Sequence, residues 1–123
     1  MNSFFCTVFA FLSLASCTVA NNIKGNDYVL TEPEYGTEIT LGFDKTANRY
    51  YGKIVNNYFG FYELNNNKIN FKETATTMMM GPEKDMQAEF KYLKALRGEK
   101  TAEIKNDTLI LKDANSTLTF KKK

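Results

Sequence analysis

The sharpest chemical feature among the side chains is a run of three methionines, Met78-Met79-Met80, with Met86 shortly after it. Thioethers are soft ligands that can hold Cu(I). Consecutive residues on an extended segment point to alternate faces, however, so a triplet does not converge on one ion. Methionine also fills irregular gaps where a loop meets a helix. Core packing is therefore expected here, with a protein-binding surface as the alternative. Two carboxylate pairs, Glu32 with Glu34 and Glu83 with Asp85, have a spacing compatible with acid–base catalysis. Both fall in a loop or a first helical turn, where solvated acids are ordinary. The chain has no His, which removes the usual base near neutral pH and a common zinc ligand. No glycine-rich phosphate loop is present. These residues predict no catalytic site, no metal site and no cofactor.

Thiol chemistry lies near the start. Leu14-Ala15-Ser16-Cys17 closes an apolar stretch, and the first charged side chain after it is Lys24. An apolar residue, two small residues and a cysteine resemble the lipobox of bacterial lipoproteins. A thiol at the membrane surface takes a diacylglyceryl group there, and the small residues admit the peptidase. One element is missing, a Lys or Arg near the beginning of the signal. The expected organisation is a lipoprotein signal peptide over 1–16, a tether over 17–25 starting at lipidated Cys17, and a folded domain over 26–123. Cys6 would leave with the signal, so the mature domain would hold no free thiol, no disulfide and no cysteine nucleophile. Thr18-Val19 lacks the aspartate that retains many lipoproteins at the inner membrane. The expected location is the cell envelope, lipid-anchored at the outer membrane and facing the periplasm.

Sixteen Lys and Arg stand against fourteen Asp and Glu, a net of +2. That balance excludes an electrostatic nucleic-acid footprint. Lys121-Lys122-Lys123 reads as a solvated run, with contact to anionic lipid as the sharper alternative. No second apolar stretch is long enough to span a membrane.

The elements that would position these residues follow from periodicity. Ile39, Leu41 and Phe43 alternate with polar residues or glycine, the pattern of a half-buried strand. Arg49 to Val55 is rich in aromatic and β-branched residues and reads as another. Gly60–Leu64 and Lys68–Lys72 flank Asn65-Asn66-Asn67, a hairpin signal, because asparagine tolerates left-handed backbone. Acids after Gly81-Pro82 start a helix over Pro82–Arg97, capped by Gly98, with Phe90 and Leu93 expected to cover the core. Three short strands follow, over 101–105, 108–112 and 117–121. The fold class is α+β, mostly antiparallel β: a curved sheet or incomplete, cracked β-barrel with one covering helix. Alternation sends part of the group Tyr50, Tyr51, Tyr58, Phe59, Phe61 and Tyr62 inward, and the rest could line a peptide or lipid groove.

Gly52, the block Val55 to Tyr62, the block Thr76 to Pro82, and a helix ending Tyr92-Leu93-Lys94-Ala95-Leu96 resemble the META domain of HslJ-like bacterial lipoproteins. The resemblance covers nearly the whole mature domain. It singles out Asn56, Gly60, Tyr62, Thr77, Met79, Gly81 and Pro82 as family-motif residues of structural or interaction use. Asn56, Gly60 and Thr77 are expected to fix turns. Two departures stand together: Val55 and Gly81 occupy positions where relatives often carry cysteines that can pair. Tyr28 replaces a tryptophan. The resemblance implies a non-enzymatic envelope module, monomeric, with an envelope protein partner, linked to envelope integrity, stress or drug tolerance, or secretion. The alternative is a carrier of a small apolar ligand or lipid in a partly open barrel.

Overall fold

The computed structural model describes residues 22–123. Eight strands follow in order: β1 (Asp27–Leu30), β2 (Thr40–Phe43), β3 (Arg49–Lys53), β4 (Asn57–Asn65), β5 (Lys68–Thr76), β6 (Gly98–Lys105), β7 (Thr108–Lys112) and β8 (Thr117–Lys122). Each pairs antiparallel with the next, and β8 returns to β1, with Val29 opposite Lys121 and Leu30 opposite Phe120. The barrel is closed, not cracked. Periodicity reports which face of a strand is buried, not which neighbours it finds. The short strand β1 pairs with both β2 and β8 and so removes two open edges.

Tight turns join the long hairpins. Asn66 and Asn106 adopt φ of 57° and 56°, the left-handed conformation that asparagine tolerates. Inward positions alternate along most of the strands, with a register shift in β5 opposite Gly60–Tyr62, and the interior is largely aromatic: Phe43, Tyr50, Tyr58, Tyr62, Phe71 and Phe120 are all buried. Rings meet edge to face, Tyr50 with Phe71 at 5.0 Å and Phe43 with Tyr62 at 5.6 Å between centroids. Gly60 belongs to this packing. A Cβ there would stand 2.7 Å from Cζ of Tyr50, so glycine lets that ring lie on the β4 backbone. Packing also reaches ahead of Asn26: Ile23 is buried, and Gly25 N–H donates to the Phe43 carbonyl at 3.0 Å.

The helix α1 (Glu83–Leu96) lies between β5 and β6 and closes one end of the barrel. Glu83 and Asp85 sit in the first turn, and Gly98, with φ of 98°, turns the chain out of the last turn into β6. The face it buries carries Ala88, Glu89, Tyr92 and Leu96. Phe90 is 74% exposed, contrary to the expected stripe, and Leu93 is only half-buried. Both stripes have helical spacing. The one that turns inward carries a glutamate and a tyrosine with polar partners waiting inside, which hydrophobicity alone scores as outward.

Candidate functional site

The strand alternation that buries Tyr50, Tyr58 and Tyr62 turns Tyr51, Phe59 and Phe61 out to solvent. Tyr51 and Phe59 face each other across β3 and β4, and Arg49 stands opposite Phe61. Glycines shape this wall. A Cβ on Gly42 would lie 2.4 Å from the Tyr51 ring, so the ring can lie flat against β2. Its hydroxyl donates to Asp27 Oδ1 at 3.0 Å. The phenol is raised above its usual pKa, by partial burial first and then by that carboxylate. Tyr51, Phe59, Thr40 and Asn57 line an open groove of about 530 Å³, with the cations Arg49 and Lys53 also in its wall.

A second cluster gathers most of the motif residues. Asn56, at the turn between β3 and β4, is buried. Its Oδ1 accepts from Met79 N–H at 2.6 Å and from the Thr77 hydroxyl at 2.9 Å, while Nδ2 donates to the Met79 carbonyl at 3.2 Å. Thr77 Oγ1 in turn accepts from Asn57 N–H at 3.1 Å. Glu89 reaches down from α1. Its Oε1 accepts from Val55 and Asn56 N–H at 3.2 and 2.8 Å, and its Oε2 accepts from Asn56 Nδ2 at 2.9 Å. The helix is thereby fixed to the barrel through one carboxylate. Gly81 lies beside Val55, and a Cβ built on it would stand 2.8 Å from Val55 Cγ1 and 3.7 Å from Val55 Cβ. Pro82 opens the helix, its carbonyl accepting from Met86 N–H at 3.0 Å.

The structure thus brings Asn56, Thr77, Met79 and, beside Val55, Gly81 to one place, and leaves Gly60 and Tyr62 apart in β4. Neither Asn56 nor Gly60 needs a left-handed backbone. Asn56 acts through its side chain, and Gly60 through the room it leaves. The methionine triplet is not core: Met78 and Met80 are 93% and 89% exposed. Asn56 holds this segment by its backbone, which leaves the thioethers in water. Cys17 lies outside the described residues. Hydrophobic patterning alone does not single out Glu89. Its signal was a glutamate in the series 85, 89, 92, 96, at the same spacing as the apolar stripe beside it.

Two interior hydroxyls link α1 to the strands. Tyr58 donates to the Thr40 carbonyl at 2.6 Å, which leaves Tyr92 to donate to Tyr58 at 2.7 Å. Burial pushes both phenols well above their usual range, so they serve as fixed hydrogen bonds at neutral pH. One acid of each carboxylate pair has a structural partner: Glu32 accepts from Thr119 N–H in β8 at 3.2 Å, and Glu83 accepts from the Gln87 amide at 3.3 Å. Among the described residues, no three His, Cys, Asp or Glu side chains are grouped to hold a metal.

Solved structures share this fold. An NMR structure of a protein from Burkholderia xenovorans superposes with a TM-score of 0.68 at 21% identity, covering 94% of this chain and 97% of that one. A second NMR structure superposes at 0.65 and 19% identity, covering 85% and 95%. Among curated proteins, none matches this chain by sequence. Residues 19–123 match the META domain, and the chain belongs to that family.

Proposed function

We propose that this chain is a non-enzymatic lipoprotein of the cell envelope, anchored through Cys17, that recognises a protein partner with the aromatic groove on its outer wall. One observation carries the recognition part: Tyr51 and Phe59 stand exposed side by side over a groove of about 530 Å³, while the barrel interior is occupied by its own rings. Apolar surface displayed outward and flanked by cations supports surface recognition over carriage of a ligand inside. Closure of the β1–β8 seam supports a partner that docks by side chains rather than by adding a long strand, since among the described residues the sheet edge left beyond the β5–β6 pairing is the short stretch Lys72–Thr76. The anchor reading rests on Leu14-Ala15-Ser16-Cys17. Thr18-Val19, without aspartate, supports delivery to the outer membrane, where roles in envelope integrity or stress tolerance would be exercised.

The test is a photo-crosslinking amino acid placed at position 59 in intact cells, with position 94 on the helix as control. A discrete adduct expected at 59 should vanish when Tyr51→Ala is added and be absent at 94. Equal adducts at both positions, or none at 59, would sink the groove reading. Anchoring is tested separately by labelling with an alkyne palmitate analogue. The wild type should take label and Cys17→Ser should not.

A further inference from the structure

We infer that the barrel end opposite α1 is a docking face for an anionic bilayer. The described chain enters the barrel at this end: Gly25 and Asn26 bond to Phe43, and Lys24 Nζ reaches the β2–β3 connection, 2.7 Å from Asn48 Oδ1. That connection presents Lys45 and leads into Arg49, both exposed. The β4–β5 hairpin adds Lys68, and the β6–β7 hairpin adds Lys105. Beside it β8 delivers Lys121, Lys122 and Lys123, all exposed, with Lys122 N–H bonded to the Asp107 carbonyl at the same rim. Thus every connection at this end supplies a cation. Eight of the sixteen Lys and Arg lie at or near the rim, against Asp27, Asp44, Glu63, Glu103 and Asp107. The rim is formally +3 and the rest of the chain, with α1 and its acids, −1.

Two of those acids are already engaged, Asp44 with Arg49 at 3.9 Å and Glu63 with Lys72 at 3.4 Å. The lysines at the end of β8 form no ion pair among the described residues. Lysines within a Debye length of an anionic leaflet are attracted to it, and their effects accumulate. The direction of chain entry fits this occupant. Residues 18–21 separate Cys17 from Asn22, so the two lie at most about 18 Å apart. For orientation only, the inference rests on the anchored reading: lipid on Cys17 would hold this rim, and not the helix, against the membrane. The attraction itself needs no lipid on the cysteine.

The experiment therefore uses the full chain carrying Cys17→Ser, so that failure of lipidation and failure of this face are separate results. Binding is measured by co-sedimentation with vesicles of phosphatidylcholine alone, or with about a third phosphatidylglycerol. The expected result is preferential binding to the anionic vesicles that weakens in high salt. Lys121→Gln with Lys122→Gln and Lys123→Gln should lower the partition coefficient on the order of a hundredfold. Lys84→Gln with Lys91→Gln and Lys94→Gln removes the same charge from α1 and should change it less than about threefold. All variants share residues 1–21, so that segment cancels in the comparison. A second readout uses the absence of tryptophan from the chain. Ala47→Trp should shift to the blue on anionic vesicles, and Phe90→Trp at the other end should not. Equal losses from both triple variants, equal binding to neutral vesicles, or equal blue shifts would overturn the inference. So would equally tight, rim-dependent binding of a single-stranded oligonucleotide, which would mark a general polyanion surface.

Discussion

The Tyr62 hydroxyl is buried beside Phe43 and Phe71 and has no hydrogen-bond partner among the described residues. Tyr62→Phe keeps the ring and removes a desolvated polar group, so its urea midpoint should equal or exceed that of the wild type. Tyr58→Phe is the contrast. It deprives the Thr40 carbonyl of its donor and Tyr92 of its acceptor, and should cost about 1–2 kcal/mol. Glu89 is more demanding still, because one carboxylate satisfies three donors on Val55 and Asn56. Glu89→Ala should cost about 3 kcal/mol or more, and Glu89→Gln less, since one oxygen is kept. Asp113 supplies a dependence on pH. Buried Lys100, first, and then the N–H groups of Asn115 and Ser116, hold its carboxyl at about 2 against the opposing effect of burial. The folded value lies below the unfolded one. The stabilisation is therefore complete above the ordinary carboxylate range and is lost as pH falls through about 2. Asp113→Asn should be less stable at neutral pH, where Lys100 is left unpaired, and should show a flatter acid limb in denaturant midpoints. A parallel limb would refute the assignment.

At the scale of elements, the helix is the place where one stripe was chosen over another. Tyr92→Ala should cost about 3–5 kcal/mol, because its ring packs on Tyr35, Tyr58 and Phe120. Phe90→Ala should leave the thermal melt nearly unchanged. The start of the helix offers a covalent test. A Cβ on Gly81 would stand 3.7 Å from that of Val55, close to the ~3.8 Å mean of disulfides, and Gly81 has no left-handed φ. These are the positions where the family resemblance implies a cysteine pair. Val55→Cys with Gly81→Cys, made in a chain lacking Cys6 and Cys17, should oxidise readily and add roughly 2–4 kcal/mol that a reductant removes. Gly81→Ala alone should destabilise, since its methyl would meet Val55 Cγ1 at 2.8 Å. The strands, the asparagine turn at Asn66, the helix and its glycine exit were legible because each obeys local periodicity or backbone preference. Glu89, the exposed methionines and the Tyr51–Phe59 groove were not. Their placement depends on partners distant in sequence: Val55 beneath the helix, Asn56 gripping the Met79 backbone, Gly42 under the Tyr51 ring.

For the whole molecule, closure by β1 and β8 governs solubility as well as shape. A chain ending after Ser116 would expose the edges of β1 and β7, and should elute from size-exclusion chromatography as aggregate rather than monomer. Recovery of a monomeric, protease-resistant barrel from that truncation would show that closure is dispensable. The same seam imposes a timetable. A ribosome releases β1 first and β8 last, and Tyr28 cannot meet Lys122 until almost all of the domain is out. Hairpins such as β4–β5 can form as they emerge, but the first strand waits with one side unpaired throughout. Any directional passage, through a ribosomal tunnel or a membrane channel, therefore delivers this domain unfinished until its final strand is free. A stall even one strand short presents quality-control proteases with an open sheet.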